Sequence, residues 1–237
     1  MSEWKIDRDG DVAIVSLDDG KANALLVPEF EGLEGALAAV EHSPAKAVVL
    51  TGRPGYFSAG LNLKAMGGLS LEDKQKLVAA MGSAVLRLFL FPKPVVAAVS
   101  GHALGGGAMF ALASDLRVFA DGPFKFGLNE VQIGLFVPSY AIELARSCVS
   151  PSRLTELTIH GRVLSPLEAL SMHVAESVHA PEAVLSAALL RARGLAALSG
   201  NGYAMTKRLV RGAAVEAAQK SLPGELAEMA RMMDART

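Results

Sequence analysis

Cysteine is almost missing: Cys148 is the single cysteine in 237 residues, which rules out an internal disulfide and the cysteine-rich zinc patterns and agrees with a reducing compartment. In the stretch ELARSCVS it reads as an inert helix residue. An excess of one charge is missing too. Lys plus Arg total 23 against 24 for Asp plus Glu, a net charge of −1, so no nucleic-acid partner is indicated and any anion site has to be local. His42, His160, His173 and His179 show no ligand spacing, and no metal is expected. The opening stretch MSEWKIDRDGDVAIVSL lacks the basic-then-apolar order of a secretory signal, from which a cytoplasmic location is expected. Internal repeats, low-complexity segments and linkers are absent.

What the chain does have is apolar content, 51% of residues, enough to bury a sizeable core. Residues 11–17 alternate as a strand does, and residues 47–51 and 95–99 are continuous apolar strands. Between them, Phe30, Leu33, Leu37 and Val40 recur at helical spacing after Pro28, giving a strand–helix–strand unit. Residues 52–66 read as a loop. Ser70 and Asp73 open a helix striped by Leu77, Met81, Val85 and Leu88. Residues 116–120 and 124–126 read as short strands. Ser150-Pro151 and Ser165-Pro166 start further helices. The segments 181–198, 202–211 and 215–234 read as helices with little internal space for a site, packed on the core or on another subunit.

The stretch 94–114 is uncharged and long enough to cross a bilayer. Gly101, Gly105, Gly106, Gly107 and His102 within it, and its β-branched start, argue instead for a buried strand, a glycine turn and a short helix over 108–114. No membrane partner is expected. Glycines at a helix start expose backbone N–H groups that can bind an anion, or an oxygen that becomes one during a reaction. The spacing is neither a phosphate-binding loop nor the dinucleotide fingerprint. A second loop, Ser58-Ala59-Gly60-Leu61, also carries small residues after an apolar strand.

Together with Asn23-Ala24-Leu25, Lys93-Pro94-Val95, Ser114-Asp115-Leu116-Arg117 and Phe126-Gly127-Leu128-Asn129-Glu130, these two loops form an ordered set that resembles the crotonase superfamily of enoyl-CoA hydratases and isomerases. The resemblance implies an α/β fold: a crotonase-like spiral core of ββα turns over residues 1–190, then a C-terminal helical trimerisation region over 191–237. It implies a homotrimer or a dimer of trimers, and an acyl-CoA thioester as substrate. Coenzyme A then arrives as part of the substrate and no separate cofactor is expected. By position, the N–H groups of Leu61 and Gly106 form an oxyanion hole, with Gly105 beside them. Lys21 and Lys64 stand near matched loops where phosphates would lie, and Ser58, Ala59 and Leu61 would supply backbone contacts to the adenine. Lys207, Arg208 and Arg211 on a late helix are further candidates for those phosphates.

Hydratases of this superfamily use two glutamates; here one of the two positions is Met109 and the other is Glu130. Asn62 stands where many relatives carry Asp. A single carboxylate is enough to move a double bond from C3 to C2 of the acyl chain, so the resemblance is closest to a Δ3,Δ2-enoyl-CoA isomerase with Glu130 as proton shuttle. Two rival readings stay open: another crotonase reaction (weak hydration, thioester hydrolysis or decarboxylation), and a non-catalytic acyl-CoA-binding scaffold. Asp115 and Arg117 read as structural, and His102 as a hydrogen-bonded structural histidine. Met66, Leu135, Phe136 and Tyr140 are candidates for the pocket wall.

Overall fold

The computed structural model describes residues 3–234. Two antiparallel strands, β1 (Glu3–Asp9) and β2 (Val12–Asp18), open the chain. β3 (Ala24–Leu25) and α1 (Val27–Glu41) follow, then β4 (Ala47–Thr51), β5 (Gly55–Ser58), β6 (Gly60–Leu61), α2 (Leu63–Met66) and α3 (Leu71–Phe89). The next turn is β7 (Val95–Val99), β8 (Gly101–Leu104) and α4 (Gly106–Ala113). After it come β9 (Leu116–Ala120), β10 (Phe126–Gly127), a 3-10 turn over Glu130–Ile133 and α5 (Ser139–Arg146). The chain closes with α6 (Pro151–Leu157), α7 (Pro166–Ser171), β11 (Ser177–His179), α8 (Val184–Ala196) and α9 (Gly200–Asp234).

A strand of a long sheet, one or two short strands and then a helix recur along the chain, which is the spiral of ββα turns that the resemblance implies. The long sheet runs β1-β2-β4-β7-β9-β11, parallel apart from β1. β10-β8-β5 and β3-β6 form two smaller sheets. Continuous apolar runs in β4 and β7 follow from burial of both faces. Val48 and Leu50 face the main core with α1 and α3, while Ala47 and Val49 face a second cluster closed by Val184, Ala188, Leu189 and Ala192 of α8. The boundary expected after residue 190 therefore falls inside a helix that packs on the sheet.

Several short elements differ from the sequence reading. Residues 52–66 are not one loop but hold β5, β6 and α2, and Gly101–Leu104 is a strand rather than part of a turn. The strand expected at 124–126 lies at Phe126–Gly127. Two- to four-residue strands carry too few positions for a period to show. The two late helices are one, α9, which runs through Gly212 and Pro223 because it packs against α3 and α5. Cys148 lies just past the end of α5, half-buried, with its thiol directed at Leu112 O.

Candidate active site

Two loops meet at the corner where the short strands hand over to the helices. A bulge in the β5–β8 ladder between Tyr56 and Ser58 turns the chain toward that corner. Asn23, fully buried, holds it there: its amide donates to Leu17 O, Tyr56 O and Phe57 O, and Ser58 Oγ donates to Asn23 O at 2.8 Å. The Ser58 side chain also accepts from Gly60 N. It is thus spent inside the protein, and only its backbone is left for the ligand contact expected of it.

Gly60, at φ +81°, has no room for a side chain: a Cβ there would stand 2.5 Å from Leu104 O and 3.2 Å from Gly106 N. The two loops are therefore in backbone contact. Ala59 N donates to Ala22 O, Asn62 N to Leu25 O and Gly105 N to Gly127 O. Among the described residues, neither Leu61 N nor Gly106 N donates in a turn or loop hydrogen bond. Gly106 N also belongs to the first turn of α4, where N–H groups lack helical partners.

Leu61, Gly105 and Gly106 line one cavity together with Glu130 and Met109. Glu130 begins the 3-10 turn, which is closed by Gly134 in the left-handed region. Glu130 as a whole is 8% exposed; its Oε2 is buried with no hydrogen-bond partner, and Oε1 faces Gly105, 3.4 Å from where a Cβ would be. Burial pushes its pKa up to about 7, against a smaller lowering by its own backbone N–H. No other ionisable side chain lines the cavity among the described residues. The arrangement can take up a proton at Glu130 and hold a negative oxygen at the two N–H groups.

A sequence profile of the enoyl-CoA hydratase/isomerase family matches residues 7–235. The chain belongs to this family. It is 34% identical over 206 residues to a putative enoyl-CoA hydratase of Thermus thermophilus, covering 85% of this chain and 81% of that one. To the human mitochondrial enoyl-CoA delta isomerase 1 it is 30% identical over 203 residues, 84% of this chain and 67% of that one. A crystal structure of human mitochondrial Δ3,Δ2-enoyl-CoA isomerase superposes with a TM-score of 0.93 at 27% identity, over 98% of this chain and 92% of that one. The crotonase fold expected from the sequence is the fold found.

In this enoyl-CoA hydratase/isomerase family member, the remaining candidates divide cleanly. Lys21 and Lys64 are exposed, and Lys64 adjoins Leu63 at the cavity mouth. Lys207 and Arg211 are not free for phosphates. Lys207 is 7% exposed and donates to Phe91 O, Lys93 O and Asp115; Arg211 donates to Phe89 O and Asp115. Arg208 is exposed on the same helix. Asp115 also accepts from Val95 N, and Arg117 donates to Val174 O and Ser114 O, so both are structural. His102 accepts from Lys125 N between the rings of Tyr56 and Phe124.

Of the expected wall residues only Leu135 lines the cavity. Met66 and Phe136 pack in the core, and Tyr140 is fully buried with no partner for its hydroxyl. Met81, Met229 and Met233 were not foreseen. The last two stand on α9, among the late helices expected to leave little internal space for a site; the methionine cluster MARMMD is visible in the sequence, but it does not say which face meets the cavity.

Proposed function

We propose that this protein is a Δ3,Δ2-enoyl-CoA isomerase with one acid–base group. The observation that carries the reading is the lone carboxylate: Glu130 lines the cavity, and so does Met109, 1% exposed, which stands where the resemblance puts a second acid. Glu130 takes a proton from C2 of a 3-enoyl thioester. The electron pair moves into a dienolate whose charge collects on the thioester oxygen, held by the N–H groups of Leu61 and Gly106. Glu130 then returns the proton to C4, leaving the 2-enoyl thioester and the original carboxylate. A base with a pKa near neutrality suits this exchange, since it both accepts and releases the proton readily. One such N–H donor is typically worth ~10²–10³ in rate.

The CoA portion would lie along the exposed loop that bears Lys64, with Lys21 as a second phosphate contact and the backbone of Ser58, Ala59 and Leu61 toward the adenine. Exposed Met205, Leu209 and Val210 on the first half of α9 support the proposal that copies associate there as a homotrimer or a dimer of trimers. A cytoplasmic location is proposed on the sequence alone.

The test is a comparison of products. The purified protein is given a 3-enoyl-CoA and, separately, a 2-enoyl-CoA. Conjugated 2-enoyl thioester from the first and no 3-hydroxyacyl thioester from the second is the expected pattern; the reverse pattern makes it a hydratase.

A further inference from the structure

We propose that Met229 and Met233, near the end of α9, limit the length of acyl chain this site accepts, so that short acyl thioesters are its substrates. The inference rests on the thioester reading above and adds the substrate class to it.

Exposure across the cavity gives it a direction. Leu63 at the mouth is 49% exposed, whereas Met81, Met109, Met229 and Met233 are each 1–2% exposed. With the thioester oxygen at Leu61 and Gly106 and C2 facing Glu130, the CoA sulfur leaves by the open side. The acyl tail must then run into the methionine wall. Space there is scarce: the cavity measures about 60 Å³. Ligand pockets usually hold roughly 300–1,000 Å³. Methionine is unbranched and can swing aside, which admits a few carbons.

A longer tail requires α9 itself to shift, and the helix is fastened on both sides of the cavity. Asp234 pairs with Lys74 at 2.9 Å, the lysine side chain being 1% exposed. Glu225 accepts from Ser139 N at 2.9 Å and from Ser139 Oγ at 3.1 Å. Toward its start, Lys207 and Arg211 hold Asp115 at 2.7 and 2.8 Å. Stripping a buried lysine of its partner is costly. The wall is therefore adjustable at its side chains and fixed at its backbone.

The test is direct binding of saturated butanoyl, octanoyl and dodecanoyl thioesters of coenzyme A, measured calorimetrically, so that turnover is not needed. One methylene too many in a tight pocket costs ~10-fold or more. Wild type is expected to bind butanoyl-CoA at least ~10-fold more tightly than dodecanoyl-CoA, and Met229→Ala or Met233→Ala to narrow or reverse that ratio. Met233→Val serves where the alanine variant does not fold. Equal binding of all lengths by the wild type, or an unchanged order in folded variants, overturns the length assignment alone. A wild-type protein that binds none of the thioesters overturns the proposed function beneath it.

Discussion

Glu130 and Gly105 are in close apposition: a Cβ on the glycine would stand 3.4 Å from Glu130 Oε1. Gly105 also holds φ +50° and ψ −119°, a conformation that side chains other than hydrogen resist. Gly105→Ala should therefore destabilise the fold by about 1–3 kcal/mol. It should leave the carboxylate in place, because 3.4 Å is an ordinary van der Waals contact. Denaturant unfolding checks the first expectation, and the isomerase rate of the folded variant checks the second.

Burial of Glu130 has an effect on stability opposite to the catalytic use proposed for it. Its folded pKa of about 7 lies above the ordinary 4.5, so between these values the folded chain binds more protons than the unfolded one. Stability is then full below about 4.5, declines as pH rises, and has lost this contribution above about 7. Glu130→Gln, which cannot ionise, should be more stable than wild type at pH 8, by up to about 3 kcal/mol, and should show no such advantage at pH 4. Unfolding curves at the two pH values check it. A gain independent of pH would contradict the buried-charge account.

The same pKa sets a rate profile. In the proposed mechanism Glu130 must be ionised to take the C2 proton, so kcat/KM should rise with pH, turn over near 7 and level off above it. A profile flat from pH 5 to 9 would show that this carboxylate does not control the step.

Asp115 links the sheet to α9 by accepting from Val95 N, Lys207 and Arg211. Replacing it by alanine leaves Lys207 and Arg211 without their counter-charge and Val95 N without its acceptor, and breaking a buried ion pair typically costs about 3–5 kcal/mol. Thermal or denaturant unfolding measures the loss. The effect should exceed that of Asp11→Ala, where the pair with Lys46 is more than half exposed and is worth little.

Met109→Glu tests the proposal that one acid is enough. With a second carboxylate in the cavity, hydration of a 2-enoyl-CoA should rise above the wild-type level, provided the variant folds. Two buried carboxylates at close range also raise each other's pKa, so the turning point of the rate profile should move upward. Hydration that stays at the wild-type level would count against the role assigned to the missing acid.

What was legible in the sequence was what repeats or what needs a special residue. β4 and β7 showed as apolar runs because both their faces are buried, and α3 showed by its stripe and its Ser70 cap, whose Oγ accepts from Asp73 N. The glycines marked the two loops because backbone meets backbone at Gly60. The short strands β5, β6 and β8 were hidden: with two to four residues each, their form is set by pairing with distant segments. Met229 and Met233 were hidden for a related reason. Which face of α9 reaches the cavity depends on how a helix far along the chain docks on α3, and the local pattern of α9 does not encode that. The commitment of Lys207 and Arg211 to Asp115 is likewise a tertiary fact.

The central claim is that Glu130 alone moves the proton. Its most direct test follows conjugated product formation from a 3-enoyl-CoA by wild type and by Glu130→Gln, with folding and thioester binding of both confirmed. General acid–base groups contribute ~10²–10⁴ in rate, so the variant should bind substrate and lose activity by about that factor. A Glu130→Gln protein that still isomerises within about threefold of wild type would contradict the account, because no other ionisable side chain lines the cavity among the described residues.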